Sequence, residues 1–180
     1  RSSSGRTVFA VQGAAGAVTA ISTGISFDDH GDHGDIEIEA PRLTGAEVVG
    51  DRPSHFVEHD GEFAAFFDGE GIARVFSENA ALEGKPDVRE VKAAAPHHGV
   101  VIPFRSHDIV SIANPDDNSK VVGAQVVARD GSAVGDPVEC VGLHGEATSG
   151  NLAVIGGCVR GILVIRSQAG MPVIEPLAFD

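Results

Sequence analysis

Leu143-His144-Gly145, then Asn151-Leu152-Ala153-Val154-Ile155, then Gly161-Ile162-Leu163-Val164-Ile165 is the stretch that decides the fold. A histidine is followed by a short polar loop, an apolar strand, a turn and a second apolar strand. The same order stands earlier in His97-His98-Gly99, His107 to Ile112 and Val121 to Val127. It stands earlier still in Ser54-His55-Phe56, Glu62 to Phe67 and Gly71 to Phe76. The anchoring histidines His55, His98 and His144 are 43 and 46 positions apart. A period of about 40 to 50 residues with several short strands per unit marks propeller blades. Helical solenoids of similar period carry long amphipathic helices, whereas the one helix-like stretch here, Ser77 to Leu82, is short.

Working outward, Thr7 to Gln12 and Gly16 to Ile21 read as the strand pair that follows a histidine in the other units, so the chain opens inside a blade. Residues 1–180 are thus expected to form an all-β, β-propeller segment of three complete units and a partial one. Propellers close with about 4 to 8 blades, so this is roughly half of a ring. The remaining blades are expected from the rest of the protein or from a second chain.

The net charge of -13 argues against a nucleic-acid partner and favours attraction of cations. Trp and Tyr are absent, which removes the usual base-stacking platform and interfacial belt. The longest apolar runs, such as Leu152 to Ile155, are too short to span a bilayer. Two cysteines, Cys140 and Cys158, make one possible disulfide, but two buried free thiols look the same in sequence.

In a propeller the innermost strand of each blade begins beside the central channel, so residues at one repeat position converge on the axis. His55, His98 and His144 hold that position, and imidazole suits zinc. Glu146, or Asp51 or Asp60 from the first loop, can add a carboxylate. His97 competes with His98 for the inward place, and alignment on the following glycine favours His98. A glycine directly after the histidine fits close packing near the axis. A second cluster runs from Asp28 to Asp35, with His30, His33, Asp29 and Asp32 at its centre and two glycines that make it a pliant loop. Such a His/Asp tract reads as a metal-collecting loop of modest affinity. Copper and nickel bind imidazole at least as strongly as zinc in the usual affinity order and stay open alongside it.

Asp-His-Gly-Asp-His at 29–33, Ser-His-Phe-Val at 54–57, Phe-Phe-Asp-Gly at 66–69, Ala-Pro-His-His-Gly at 95–99 and Gly-Leu-His-Gly-Glu-Ala at 142–147 stand in order along the chain. In these stretches the chain resembles the periplasmic zinc metallochaperone family AztD. The resemblance implies a WD40-like propeller, zinc held by propeller histidines, and a flexible His-rich segment that takes part in binding or transfer. It implies delivery of zinc to the solute-binding protein of a bacterial zinc ABC transporter, and an oxidising compartment, the periplasm, where a Cys140–Cys158 disulfide is expected. The departure is length, since family members form a whole propeller.

The expectation is therefore a non-enzymatic zinc carrier. Two other classes compete with it. A zinc-dependent propeller lyase or hydrolase needs an open metal position that activates water, but no nucleophile elbow, HExxH or phosphate loop is present. A metal-independent interaction scaffold leaves the histidines structural and the stability indifferent to zinc.

Overall fold

The computed structural model describes residues 1–179. It is built of short antiparallel strands: β1 (Thr7–Gln12), β2 (Ala17–Ser22), β3 (Ile25–Asp29), β4 (Gly34–Ile38), β5 (Arg42–Val49), β6 (Pro53–His59), β7 (Glu62–Phe67), β8 (Ile72–Ser77) and β9 (Arg89–Lys92). These are followed by β10 (Val101–Phe104), β11 (His107–Asn114), β12 (Asp117–Ala128), β13 (Ala133–Glu139), β14 (Glu146–Ser149), β15 (Leu152–Cys158), β16 (Gly161–Gln168) and β17 (Met171–Ala178). One helix, α1 (Glu78–Leu82), lies between β8 and β9, and the Ser77 hydroxyl caps it by accepting from Ala80 N–H. No helix among the described residues is long and apolar enough to cross a membrane.

Three sheets are four-stranded meanders in chain order, β6 to β9, β10 to β13 and β14 to β17. This is the strand pattern of propeller blades. A three-stranded sheet, β1-β2-β5, precedes them, and the β3–β4 ribbon is inserted between its second and third strands. The first strand of each four-stranded sheet falls where the sequence reads as a polar loop between histidine and apolar strand. Its brevity hides it: β10 and β14 have only four residues each. Yet Val101, Ile102, Pro103 and Phe104 are all buried, because β10 lies against β6 and β7 of the neighbouring sheet.

The core lies between sheets stacked face to face. Successive side chains of a strand point to opposite faces, and β7 uses both. Phe63, Ala65 and Phe67 pack toward the N-terminal sheet with Val18, Phe76 and Phe9. Ala64 and Phe66 pack the other way, with Val75, Val101 and Val110. A third cluster, around Ile102, Phe104, Ile109, Ile155, Leu163 and Ile165, joins the last two sheets. Buried ionic contacts add to this at one end of the strands. Asp108 accepts a bidentate pair from Arg89 at 2.7 and 3.0 Å and a third bond from Arg129 at 3.3 Å. Burial pushes the Asp108 carboxyl up to about 6, against the pull of Arg89.

The first strands of the three meanders come together, with β6 against both β10 and β14. His59 Nδ1–H donates to Pro103 O at 2.8 Å, and Thr148 Oγ1–H donates to Glu58 O at 2.6 Å. These bonds lie toward the C-terminal ends of the three strands and hold them side by side, and the site below is built at the opposite ends, where the strands start.

Candidate metal centre

His55 stands on β6, His98 in the segment entering β10 and His144 in the turn entering β14. Their ligand atoms all lie within 4.8 Å of one another. Ring centroids are 4.8 Å apart for His55 and His98, 5.8 Å for His55 and His144, and 5.6 Å for His98 and His144. The glycines after two of them have different reasons. A Cβ on Gly99 would meet His97 Nε2 at 2.4 Å and Ser111 Oγ at 2.6 Å, so close packing excludes a side chain. Gly145 has open space around it but a φ of 96°, a backbone state that L side chains rarely adopt.

Two carboxylates stand behind the imidazoles. Glu146 Oε2 is 2.9 Å from His55 Nδ1, and Asp68 Oδ2 is 2.8 Å from His98 Nδ1. The Ser54 hydroxyl in turn donates to Asp68. A carboxylate on Nδ1 holds the proton there and turns the Nε2 lone pair outward, as in carboxylate–histidine–metal triads. The two outward Nε2 atoms face each other at 3.2 Å. Two lone pairs at that separation have no hydrogen to share, and only a cation between them, a proton or a metal, relieves the contact. Tetrahedral zinc with Zn–N bonds of about 2.0–2.1 Å spaces its ligands by roughly 3.3 Å, so the pair already has the right separation. The hydrogen bond to Glu146 raises the His55 pKa above 6.5, outweighing the burial that opposes it.

Glu146 is thus an orienting group on His55 Nδ1 and does not face the gap between the imidazoles. His97 is not brought to the cluster. Its Nδ1–H donates to Ala95 O at 2.8 Å, and Ser111 Oγ–H donates to its Nε2, also at 2.8 Å. Ser111 Oγ accepts from Val100 N–H in turn. Both ring nitrogens are used, and burial lowers the His97 pKa. Asp51 and Asp60 are also elsewhere: Asp51 pairs with Arg52 at 3.7 Å, and Asp60 accepts from Arg105 N–H at the far end of β6. The residue missed from sequence is Asp68. Its signal was the Phe66-Phe67-Asp68-Gly69 stretch, a turn at the end of β7 that brings it beside His98.

The His/Asp tract is not a pliant loop but the end of a hydrogen-bonded ribbon. β3 and β4 pair from Ile25↔Ile38 to Asp29↔Gly34, which leaves only residues 30–33 in the turn. Gly31 N–H donates to Asp29 Oδ1 at 2.7 Å, and His30 and His33 stack with centroids 5.2 Å apart. His33 Nδ1 is 2.7 Å from Asp32, while His30 Nε2 has Asp28 at 3.5 Å and Asp35 at 3.6 Å. All are exposed. Alternation places Ile25, Phe27, Ile36 and Ile38 on one face, 47% to 78% exposed, and Asp28, Asp35 and Glu37 on the other. The ribbon leaves its sheet at the Ser22↔Arg42 end. The other end of β5 leads into Gly50, which packs on Phe67 and Arg74 at the three-histidine end. At about 3.3 Å per strand residue, the eight residues of β5 put roughly 26 Å between the point where the ribbon leaves its sheet and the Gly50 end.

Cys140 and Cys158 form a disulfide, with Cα atoms 4.8 Å apart. No family model matches the chain. It is, however, 48% identical over 180 residues to the curated zinc chaperone AztD of Citrobacter koseri. The crystal structure of C. koseri AztD superposes with a TM-score of 0.94 at 48% identity over 100% of this chain. The structure of apo AztD from the same organism gives 0.93 at 47% identity over 99% of it. The chain is a homologue of AztD. It spans 42% of the curated AztD sequence and 48% of each AztD chain in those structures, so it corresponds to about half of AztD. The all-β sheets described above are therefore the AztD fold over that half.

Proposed function

We infer that this chain is the metal-holding part of a zinc metallochaperone, with zinc as cargo. The observation that carries the reading is the His55–His98 pair, whose Nε2 atoms face each other at 3.2 Å with a carboxylate on each Nδ1. His144 supplies a third nitrogen, and three protein ligands leave the fourth position of a tetrahedral ion open. An open position suits a carrier, because an acceptor's ligand can enter before the donor's ligands leave. The likeness to AztD supports zinc over copper or nickel. The disulfide suits an oxidising compartment, and the reading places the protein in the periplasm, delivering zinc to the solute-binding protein of a zinc ABC transporter. In the same reading His30 and His33, with Asp29 and Asp32, collect or pass on zinc at a separate, weaker site.

Competition with a chromogenic chelator tests this on three proteins. His98→Ala with His144→Ala is expected to lose more than about a hundredfold in zinc affinity, beyond what loss of an outer-shell partner costs. His30→Ala with His33→Ala keeps tight binding within twofold but slows transfer to the solute-binding protein. Unchanged affinity in the first variant overturns the reading.

A further inference from the structure

His55 and His98 are each aimed by a carboxylate; among the described residues no Asp or Glu stands within ion-pair distance of the His144 ring. His144 is placed by the loop that carries it. On one side, Cys140 N–H and Gly142 N–H donate to Val122 O at 2.8 Å and Val121 O at 3.0 Å on β12. On the other, His144 N–H donates to Gly156 O at 3.1 Å, and Gly156 N–H returns to Gly145 O at 2.9 Å. Gly156 lies in the irregular stretch where β15 shifts register against β16, between Ile155 and Cys158. Gly157 fits there only without a side chain, since a Cβ would stand 2.7 Å from His144 N. Cys158 ends the stretch, and its bond to buried Cys140 ties this irregular segment to the start of the His144 loop.

We propose that the Cys140–Cys158 disulfide is the positioning element of His144. It does for this imidazole what Glu146 and Asp68 do for the other two, so the affinity of the three-histidine site depends on the bond. The inference rests on the metal reading of the cluster. It differs from the ordinary role of a disulfide, which stabilises the fold by constraining the unfolded chain. A bond with only that role lowers the melting temperature and leaves the affinity of the folded molecules unchanged.

A double-mutant cycle separates the two roles. Zinc affinity is measured by chelator competition on wild type, on Cys140→Ala with Cys158→Ala, on His144→Ala, and on the three changes together. Loss of the disulfide is expected to weaken zinc binding about tenfold, in the range for an outer-shell partner. In the His144→Ala background the same loss should change affinity less than twofold, because the bond then has no ligand to place. Wild-type affinity in the cysteine variant overturns the proposal, as does an equal loss in both backgrounds. Should the cysteine variant fail to fold, Gly145→Ala disturbs the same loop with the bond intact, through a φ of 96°. It should show the same loss and the same dependence on His144, and wild-type affinity there also counts against the proposal. If His144→Ala alone binds zinc as tightly as wild type, the metal reading of His144 fails first, which is a distinct result.

Discussion

Two groups of imidazoles and carboxylates in this chain have the same chemistry and different support. At the strand starts, His55 meets Glu146 from 91 residues away, and His98 meets Asp68 from 30 residues away. Those partners come from different sheets, and packing holds them before any ion arrives. At the ribbon tip, His30, His33 and their aspartates all come from one eight-residue hairpin end, 28–35, with no partner from another sheet among the described residues. Exposure does not separate the sites, since the His98 side chain is 45% exposed and that of His30 46%. There the chain must order its own side chains when it binds. A preorganised set of ligands does not incur that entropic cost at binding. The difference teaches that the number of ligands matters less than the shell that aims them.

The largest effect that sharpens the comparison concerns stability. Phe63→Ala, in the packed core that carries β7, is expected to cost about 3–5 kcal/mol, whereas Phe27→Ala on the exposed ribbon face should stay within about 0.5 kcal/mol. Chemical denaturation of both variants measures this. A large loss at Phe27 would mean that the ribbon is part of the core. Next come the orienting carboxylates. Glu146→Gln and Asp68→Asn should each reduce zinc affinity about 10–100-fold, while Asp32→Asn at the ribbon tip should leave tight binding unchanged. Equal sensitivity at all three positions would erase the distinction between the sites.

The smallest effect is in pH. Zinc competes with the proton for His55 Nε2, and the Glu146 hydrogen bond raises that imidazole above 6.5. Affinity should therefore begin to fall at a higher pH than for an ordinary imidazole as the medium is acidified. The metal-free protein should run the other way. A raised folded-state pKa contributes stability that is fully present below 6.5 and is lost as pH rises through the folded value. Chelator competition and melting of the metal-free protein between about pH 5 and 8 measure the opposite slopes, and parallel slopes would remove Glu146 from its orienting role.

The strand pairs after each histidine were readable because their apolar runs repeat at one period. The entering strands were not, since four residues such as Val101 to Phe104 carry too little pattern to tell strand from loop. The choice of His98 over His97 was readable from the following glycine, though the reason was not. His97 is taken up by Ala95 O and Ser111 Oγ, partners that only the folded chain brings near. The Asp28 to Asp35 tract read as a pliant loop because glycine and aspartate favour turns, yet the flanking Ile25, Phe27, Ile36 and Ile38 pair it into a ribbon.

By itself, then, the sequence determined the repeat, the all-β class and which histidines share a register, because these follow from local periodicity. Only the tertiary structure decided that Asp68 and Glu146 stand behind His98 and His55, that His97 serves the core, and that the ribbon leaves its sheet at the end of β5 away from the three-histidine cluster. Those outcomes depend on how sheets distant in sequence stack, and no spacing along the chain encodes which atoms such stacking brings within 3 Å.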